Sequence, residues 1–318
     1  HDERWVEALE DCGFFVTSKS LERDKISIEA IKNQLLNSQD PVLAGPLTGV
    51  TDGLLGIEAP LFGLSWGFDL INARSERQDL TWLRYLQGLI VDSQHTRNIA
   101  QGVGMDPPRL HTIPWGVDLE QFTPNGHKAD LTALGVPEDS SVILSLRALE
   151  PLYRIEDIVT AFAQVVSRTP DTYLVIGNDG GLRPQLESLV RSLQLKDRVS
   201  FIGSLPEVSL PALLRAADVY VSASEVDGSS VTLLQAMACG VPVIASDNPG
   251  NRDWVSSQTG LVFRIGSQHD LARRIRQVLS NPLEAKNVST RARQIITERA
   301  NWAQNRVQLG DVMRRGSK

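Results

Sequence analysis

Asp227 to Gly240 reads D-G-S-S-V-T-L-L-Q-A-M-A-C-G, and within it two polar side chains, Asp227 and Gln235, stand eight positions apart across a Gly-Ser-Ser turn and an opening helix. A strand-like run, Val219 to Ser224, comes before it and another, Val241 to Ala245, comes after. A strand that stops at a glycine turn and launches a helix leaves backbone N–H groups unpaired at the helix start, where the dipole favours a negative group. The amides of Ser229, Ser230 and Val231 are therefore a candidate phosphate seat, with Gly228 allowing close backbone approach. From Asp227 to Gln235 is about two helical turns, so one polar group sits at the mouth of the turn and the other deeper on the same face. One bound molecule could touch both. The competing account is purely structural: Ser229 and Ser230 cap a helix whose Val231, Leu233, Leu234 and Met237 fill a core.

The elements that must position these residues are short β-rich runs alternating with helical patterns, the sign of parallel sheets covered by helices. Expected strands in the first half are Phe14 to Ser18, Pro41 to Gly45, Phe62 to Trp66, Leu89 to Ser93 and Leu110 to Pro114, with helices at Glu3 to Glu10, Ser27 to Leu36, Glu76 to Leu86 and Thr96 to Val103. The second half repeats the plan. Its strands are Val142 to Leu146, Thr172 to Ile176, Val199 to Ile202, Val219 to Ser224, Val241 to Ala245 and Leu261 to Phe263. Its helices are Ile155 to Ser167, Pro184 to Leu193, Leu210 to Ala216, Val231 to Ala238 and Asp270 to Ser280, followed by a helical tail from Pro282. The expected fold class is α/β, with two Rossmann-like doubly wound parallel-sheet domains facing a cleft. Turn residues and sparse apolar periodicity place the boundary in Thr123 to Ser141, giving domains at 1–125 and 137–300.

The run S-A-S-E-V-D-G-S-S-V-T-L-L-Q-A-M-A-C-G-V-P-V-I-A-S-D resembles the donor-binding signature of retaining family-4 glycosyltransferases of the GT-B fold, in which two glutamates flank seven residues. Asp227 and Gln235 hold those two positions here. The resemblance covers most of the chain and is strongest from Leu110 to Trp254. It implies that Asp227 contacts hydroxyls of the transferred sugar, with Glu225 near enough to assist, and that Gln235 holds the ribose. A glutamine has one carbonyl acceptor and an NH2 donor, without a carboxylate's charge or double acceptance. In Arg147-Ala-Leu-Glu-Pro-Leu-Tyr-Arg154 the family carries an arginine and, several residues on, a lysine that clamp the donor diphosphate. Arg147 takes the first place; the lysine position falls on Tyr153, and Arg154 beside it is the second cation. Guanidinium forks suit phosphate oxygens and offset charge on a leaving group, whereas lone arginines usually mark a solvated face.

Gly177-Asn-Asp-Gly-Gly181 resembles the family's loop beside the nucleotide, which makes Gly177 and Asn178 binding candidates; as bare sequence it is a tight turn. Phe201 to Pro206 is similar to the segment whose backbone flanks the base, through Gly203 and Leu205. Ser65-Trp-Gly-Phe-Asp69 matches a loop in which a histidine-glycine pair precedes a small residue and an aspartate. Trp66 replaces that histidine, so Trp66, Gly67 and Asp69 are acceptor-side candidates, against a reading of Trp66 and Phe68 as core aromatics. Trp115-Gly-Val-Asp118 reads as a structural turn. Asp247 to Asp253 also fits the family, either bordering the donor site or linking elements. In the family the last helix crosses back to the first domain, which is expected here of 301–318. Family members also open with a strand and a small-residue loop ahead of the helix matched at His1 to Trp5, so upstream residues are expected beyond this sequence.

With 318 residues there is room for two cores of ~150 residues each. A net charge of −6 offers no basic surface for nucleic acid or anionic lipid. The longest apolar runs are strand-sized, well short of the ~20 residues of a membrane span; peripheral membrane contact stays open. The two cysteines, Cys12 and Cys239, read as reduced thiols of a cytoplasmic protein, and the five histidines are scattered, without zinc spacing. There is no Asp-x-Asp pair to hold a diphosphate through a metal, so neither a metal nor a cofactor is expected.

The function the resemblance implies is a retaining, metal-independent glycosyltransferase moving a hexosyl or related sugar from UDP or GDP to a glycan, glycolipid or small-molecule acceptor. Two alternatives stand beside it: a nucleotide-sugar-binding module that has lost turnover, suggested by Gln235 and Trp66, and epimerisation of the nucleotide-sugar itself.

Overall fold

The computed structural model describes residues 2–316. They form two compact units, one of residues 2–116 with 302–316 and the other Val117–Asn301.

In the first unit four parallel strands, β1 (Val42–Ala44), β2 (Leu61–Leu64), β3 (Gly88–Val91) and β4 (Leu110–Thr112), lie side by side in chain order. Around them are helices α1 (Asp2–Asp11), α2 (Ile28–Gln34), α3 (Phe68–Ser75) and α4 (Gln94–Gly102). β2 and β3 are buried along their whole length, which is why they read as unbroken apolar runs rather than alternating ones. The last helix, Trp302–Gly316, packs on α1. Trp5 sits edge-on between Trp115 (5.2 Å) and Trp302 (5.6 Å), and Arg4 stacks on the Trp302 ring at 4.0 Å. Asn305 Nδ2 donates to the Pro114 carbonyl at 2.8 Å.

Two expectations fail in this unit. Phe14 to Ser18 is irregular chain, with Phe15 99% exposed: its residues have strand propensity but no sheet face or neighbouring strand to use it on. The helix expected at Glu76 to Leu86 is displaced to α3, followed by a short 3-10 turn at Thr81–Tyr85. Arg77 adopts a left-handed φ of 57°, which ends α3, and Asp79 then caps the next turn by accepting from Thr81 N at 2.9 Å.

The second unit contains β5 (Ser141–Ser145), β6 (Thr172–Gly177), β7 (Val199–Gly203), β8 (Val219–Ser222), β9 (Val243–Ser246) and β10 (Leu261–Phe263). Its helices are α5 (Ile155–Val166), α6 (Arg183–Ser192), α7 (Leu210–Ala216), α8 (Val231–Ala238), α9 (Pro249–Arg252), α10 (Gln268–Ser280) and α11 (Pro282–Arg299). All six strands are parallel, in the order β10-β9-β8-β5-β6-β7. Alternate residues feed two cores, one on each face of the sheet: Val142, Leu144 and Tyr220 on one, Ile143, Val219 and Val221 on the other. The change of unit falls at Gly116–Val117, ahead of the segment expected to carry it. Phe122, Leu131 and Val136 are buried in the second unit's core, and three anchors scattered among turn residues leave no periodic trace.

Candidate active site

β5, β6 and β7 are laid down in one direction; the chain then returns to the other side of β5 to place β8. β5 and β8 are thus neighbours, with Ile143 opposite Val219 and Leu144 opposite Tyr220. At such a reversal the loops leaving the carboxyl ends of the two strands diverge and open a crevice. Arg147 leaves β5 and Asp227 leaves β8, so topology brings together two residues far apart in the chain.

Arg147 Nη2 donates to Asp227 Oδ2 at 2.9 Å and Nη1 to Ser230 Oγ at 2.6 Å, while the Tyr153 ring lies 4.3 Å under the guanidinium. The pair is nearly closed off from water, with the two side chains 11% and 12% exposed. Burial works against the arginine's charge, yet the Asp227 carboxylate and the oxygens of Tyr220 and Tyr153 keep its pKa above the ordinary value. Its Nε, also buried, has no partner. Tyr153, in the place of the family's lysine, is therefore a platform for Arg147 rather than a second cation.

Arg154 bonds elsewhere. It starts α5 from a left-handed φ of 48°, and its Nε donates to the buried Asp157 at 2.6 Å while Nη1 lies 3.7 Å from Glu225. Its hydrogen bond to Asp157 raises its pKa despite partial burial. Arg147 and Arg154 thus engage acids two positions apart on the loop after β8, and Glu225 N ties that loop to Leu152 O at 2.9 Å.

Ser230 stands at the N-cap of α8 in an extended conformation, but its hydroxyl makes no bond to the helix's first turn. It accepts from Arg147 instead, and Ser229 Oγ accepts from Trp254 Nε1 at 3.1 Å. The account of Ser230 as a helix cap is therefore set aside, since its hydroxyl is spent on Arg147 and makes no bond to the first turn, while Leu233, Leu234 and Met237 are buried in the core as that account expects.

The Asp227–Gly228 backbone is gripped from behind. A Cβ on Gly250, in α9, would be driven into the carbonyl oxygens of Asp227 and Gly228. Asn248 Nδ2 donates to Ser224 O at 3.0 Å and Asn251 Nδ2 to Ser246 O at 2.9 Å, all buried. The segment Asp247 to Asp253 borders the site in this sense, and Gly250 is a glycine set by close packing. The sequence offered no signal for Asn248 and Asn251 beyond the general run.

A solvent-open pocket lies beside this centre, lined by Leu146, Asn178, Ser204, Leu205, Leu210 and Thr232. Asn178 takes a left-handed φ of 77° and donates its amide to Gly203 O at 2.6 Å, and Gly203 turns with a φ of 71°. Gly177 leaves no room for a Cβ against Leu146. The loop after β6 is stitched to the one after β5: Gly181 N donates to Glu150 Oε1 and Leu149 N to Asp179 O. Gln235, on α8, is 4% exposed; its Nε2 donates to Glu207 Oε1 at 3.1 Å, and its buried Oε1 has no partner. Glu207 was invisible to sequence reasoning, because only the strand order brings it to α8.

In the first unit Asp69, 5% exposed at the start of α3, accepts four hydrogen bonds, from the amides of Leu47, Trp66 and Leu70 and the hydroxyl of Ser65, at 2.8 to 3.1 Å. Its oxygens are occupied in joining the loop after β1 to the loop after β2. Gly67 permits the intervening turn with a φ of 82°. Trp66 is half-buried with an unpartnered indole Nε1, and Phe68 is 43% exposed, so the latter is not a core aromatic. Among the described residues no group of three or more His, Cys, Asp or Glu side chains is arranged as metal ligands, and no helix is long and apolar enough to cross a membrane.

A parallel sheet whose winding reverses between β5 and β8 makes the second unit an α/β domain of the doubly wound, Rossmann type. Residues 128–295 match the model of the family glycosyl transferases group 1, and the chain belongs to that family. It is 30% identical over 162 residues to D-inositol 3-phosphate glycosyltransferase 2 of Catenulispora acidiphila, covering 48% of this chain and 38% of that one. To the GDP-mannose-dependent monoacylated alpha-(1-6)-phosphatidylinositol monomannoside mannosyltransferase of Corynebacterium glutamicum it is 29% identical over 223 residues, 66% of this chain and 57% of that one. The chain spans about half the length of the curated relatives it matches. Among solved structures, Anabaena HepE in complex with UDP-glucose shares the fold with a TM-score of 0.75 at 18% identity, over 91% of this chain and 82% of that one.

Two substitutions check this geometry. Asp69→Ala leaves three backbone amides and a hydroxyl without their acceptor and lowers stability by about 3 kcal/mol in urea unfolding. Asp69→Asn, which keeps one acceptor oxygen, costs less. Gly250→Ala drives a Cβ into the Asp227 and Gly228 carbonyls; we expect it to lower stability by roughly 1–3 kcal/mol in urea unfolding.

Proposed function

We propose that the chain is a retaining glycosyltransferase that moves a sugar from a nucleoside diphosphate to an acceptor hydroxyl without a metal ion. One observation carries the reading: the Arg147 guanidinium, fixed by Asp227 and Ser230 and seated on Tyr153, stands at the uncapped start of α8. A fixed guanidinium and a helix N-terminus aimed at one point favour an anion there, and a diphosphate departing from a sugar is the anion that grows in charge as the reaction proceeds.

In this scheme the donor diphosphate lies against Arg147 and the amides of Ser229, Ser230 and Val231, and Arg154 adds charge from the neighbouring loop. The base enters the pocket between Asn178, Ser204 and Leu205. Asp227 orients the guanidinium through Oδ2 and turns Oδ1 to hydroxyls of the transferred sugar. The bond from the anomeric carbon to the phosphate oxygen breaks, the acceptor oxygen bonds to the same face, and the acceptor's proton passes to the departing phosphate oxygen. The protein then supplies no nucleophile, and the positive charge that a metal would bring comes from the two arginines and the helix. Relatives include a GDP-mannose-dependent enzyme and the fold neighbour HepE is bound to UDP-glucose, so the base is a matter for direct measurement. A second reading, a binding module without turnover, draws on Gln235, whose amide is engaged by Glu207.

Thermal unfolding with UDP, GDP and their sugars separates these readings. We expect stabilisation of about 2.7 kcal/mol by one nucleotide at a hundred times its Kd. In Arg147→Ala that stabilisation falls by at least about 1.4 kcal/mol at the same ligand concentration, a tenfold weaker site. Donor consumption with an acceptor extract, unaffected by EDTA and yielding the donor's own anomeric configuration, supports the full scheme. An inverted product sinks retention, and binding without consumption favours the module.

A further inference from the structure

Gln235 lies almost wholly buried on α8 with one side of its amide committed and the other not. Its Nε2 donates to Glu207 Oε1 at 3.1 Å, and its Oε1 has no partner. Glu207 itself fixes this orientation. A carboxylate accepts only, so the amide must present its NH2 to Glu207 and aim its carbonyl oxygen away. What the two side chains offer a ligand is then a desolvated carbonyl oxygen beside a carboxylate, acceptors alone. A buried acceptor left unpaired is costly, which points to a partner that brings hydrogens. Two acceptors side by side call for two adjacent hydroxyl donors, a vicinal diol.

The position fits the diol of a ribonucleotide. Thr232, which lines the pocket, lies one helical turn before Gln235 on the same face of α8, and Glu207 falls between Leu205 and Leu210, which line it too. From Ser230 to Gln235 the helix rises roughly 7 to 8 Å at 1.5 Å per residue, the reach between a diphosphate at the helix start and the hydroxyls of its ribose.

We propose that Glu207 and Gln235 act as one receptor for the ribose diol. Gln235 Oε1 accepts the 3′-hydroxyl, and Glu207, held by the Gln235 amide, accepts the 2′-hydroxyl with the carboxylate that the helix position itself lacks. This rests on the nucleotide-sugar reading above. Glu207 is a specificity-determining residue, and the site selects ribonucleotides over 2′-deoxyribonucleotides. The charge sits on the loop before α7 instead of on α8. Placing a glutamate at position 235 as well would therefore set two carboxylates about one hydrogen bond apart, and one of them would have to take up a proton or move away.

The experiment is calorimetry with whichever of UDP and GDP the intact chain binds, and with its 2′-deoxy counterpart, on the wild type, Glu207→Ala, Gln235→Glu and the exchanged pair Glu207→Gln with Gln235→Glu. Glu207 is exposed, and unfolding of each variant without ligand checks the fold. Glu207→Ala should weaken the ribonucleotide about tenfold while barely changing the deoxynucleotide. Gln235→Glu should weaken it too, recovering as the pH falls, and the exchanged pair should return to within about threefold of the wild type, some 0.6 kcal/mol. Equal losses for ribo- and deoxynucleotide in Glu207→Ala, or tighter binding by Gln235→Glu alone, would overturn the receptor while leaving the nucleotide site standing. If the wild type binds neither nucleotide, the donor reading falls and the receptor with it.

Discussion

A single ion pair organises the second unit's functional end: the Arg147 guanidinium against the Asp227 carboxylate, at the one place where the sheet reverses its winding. Two adjacent parallel strands deliver it, β5 and β8, each through the loop that follows it. The pair is nearly closed to solvent, so its value is geometric more than energetic. An intact buried pair contributes little net stability, whereas removing one partner strands the other charge at a cost of about 3–5 kcal/mol. The loops are thereby confined to conformations in which guanidinium and carboxylate meet. Because Ser230 turns its hydroxyl to Arg147, the same interaction leaves α8 without its side-chain cap. One contact both fixes the cation and keeps the helix start open.

That arrangement holds only if the backbone of Asp227 and Gly228 cannot drift. The restraint comes from behind, where Gly250 packs a bare Cα against two carbonyl oxygens, Asn248 and Ser246 donate to the Ser224 carbonyl just past β8, and Asn251 donates to Ser246. These are short, buried polar side chains whose hydrogen bonds set position where apolar packing would allow sliding. The first unit has a counterpart in Asp69, whose four hydrogen bonds join the loop after β1 to the loop after β2. In the first unit a side chain that a motif presents as a reagent turns out to hold backbone in place, whereas Asp227 holds the Arg147 guanidinium.

Much of this was legible in the residues. Strands β5, β6, β7 and β10 and helices α5, α7 and α8 were bounded to within a residue or two; β5 and β6, buried along nearly their whole length, and α5, with a continuous apolar stripe, carry the strongest signal. Arg147 and Asp227 were picked out as partners of one ligand, although nothing in a linear chain says that they bind each other. Strand order made that pair, as it made Glu207 a neighbour of Gln235 and Gly250 a neighbour of Gly228. Phe14 to Ser18 misled for the converse reason: β propensity describes a residue's fit to a half-buried pleat, and no pleat stands beside Phe15. The switch at Gly116 was hidden because the segment that follows is anchored by three buried residues with no shared period.

The departure at Gln235 shows why a site is better described by its inventory of donors and acceptors than by its motif. Replacing a carboxylate with an amide removes one charge and adds one donor, and in isolation that weakens a receptor for hydroxyl groups. Here the added donor is used up on Glu207, which returns a carboxylate to the same neighbourhood. What a ligand meets is again acceptors with a single negative charge. The change is conservative in chemistry while being conspicuous in sequence, and the side chain that makes it so comes from a loop that no spacing rule on α8 could include. The same bookkeeping applies to Tyr153. An aromatic ring at a cationic position adds no charge, but it fixes the guanidinium beside it, and a fixed donor stabilises a developing anion at less reorganisation cost than a mobile one.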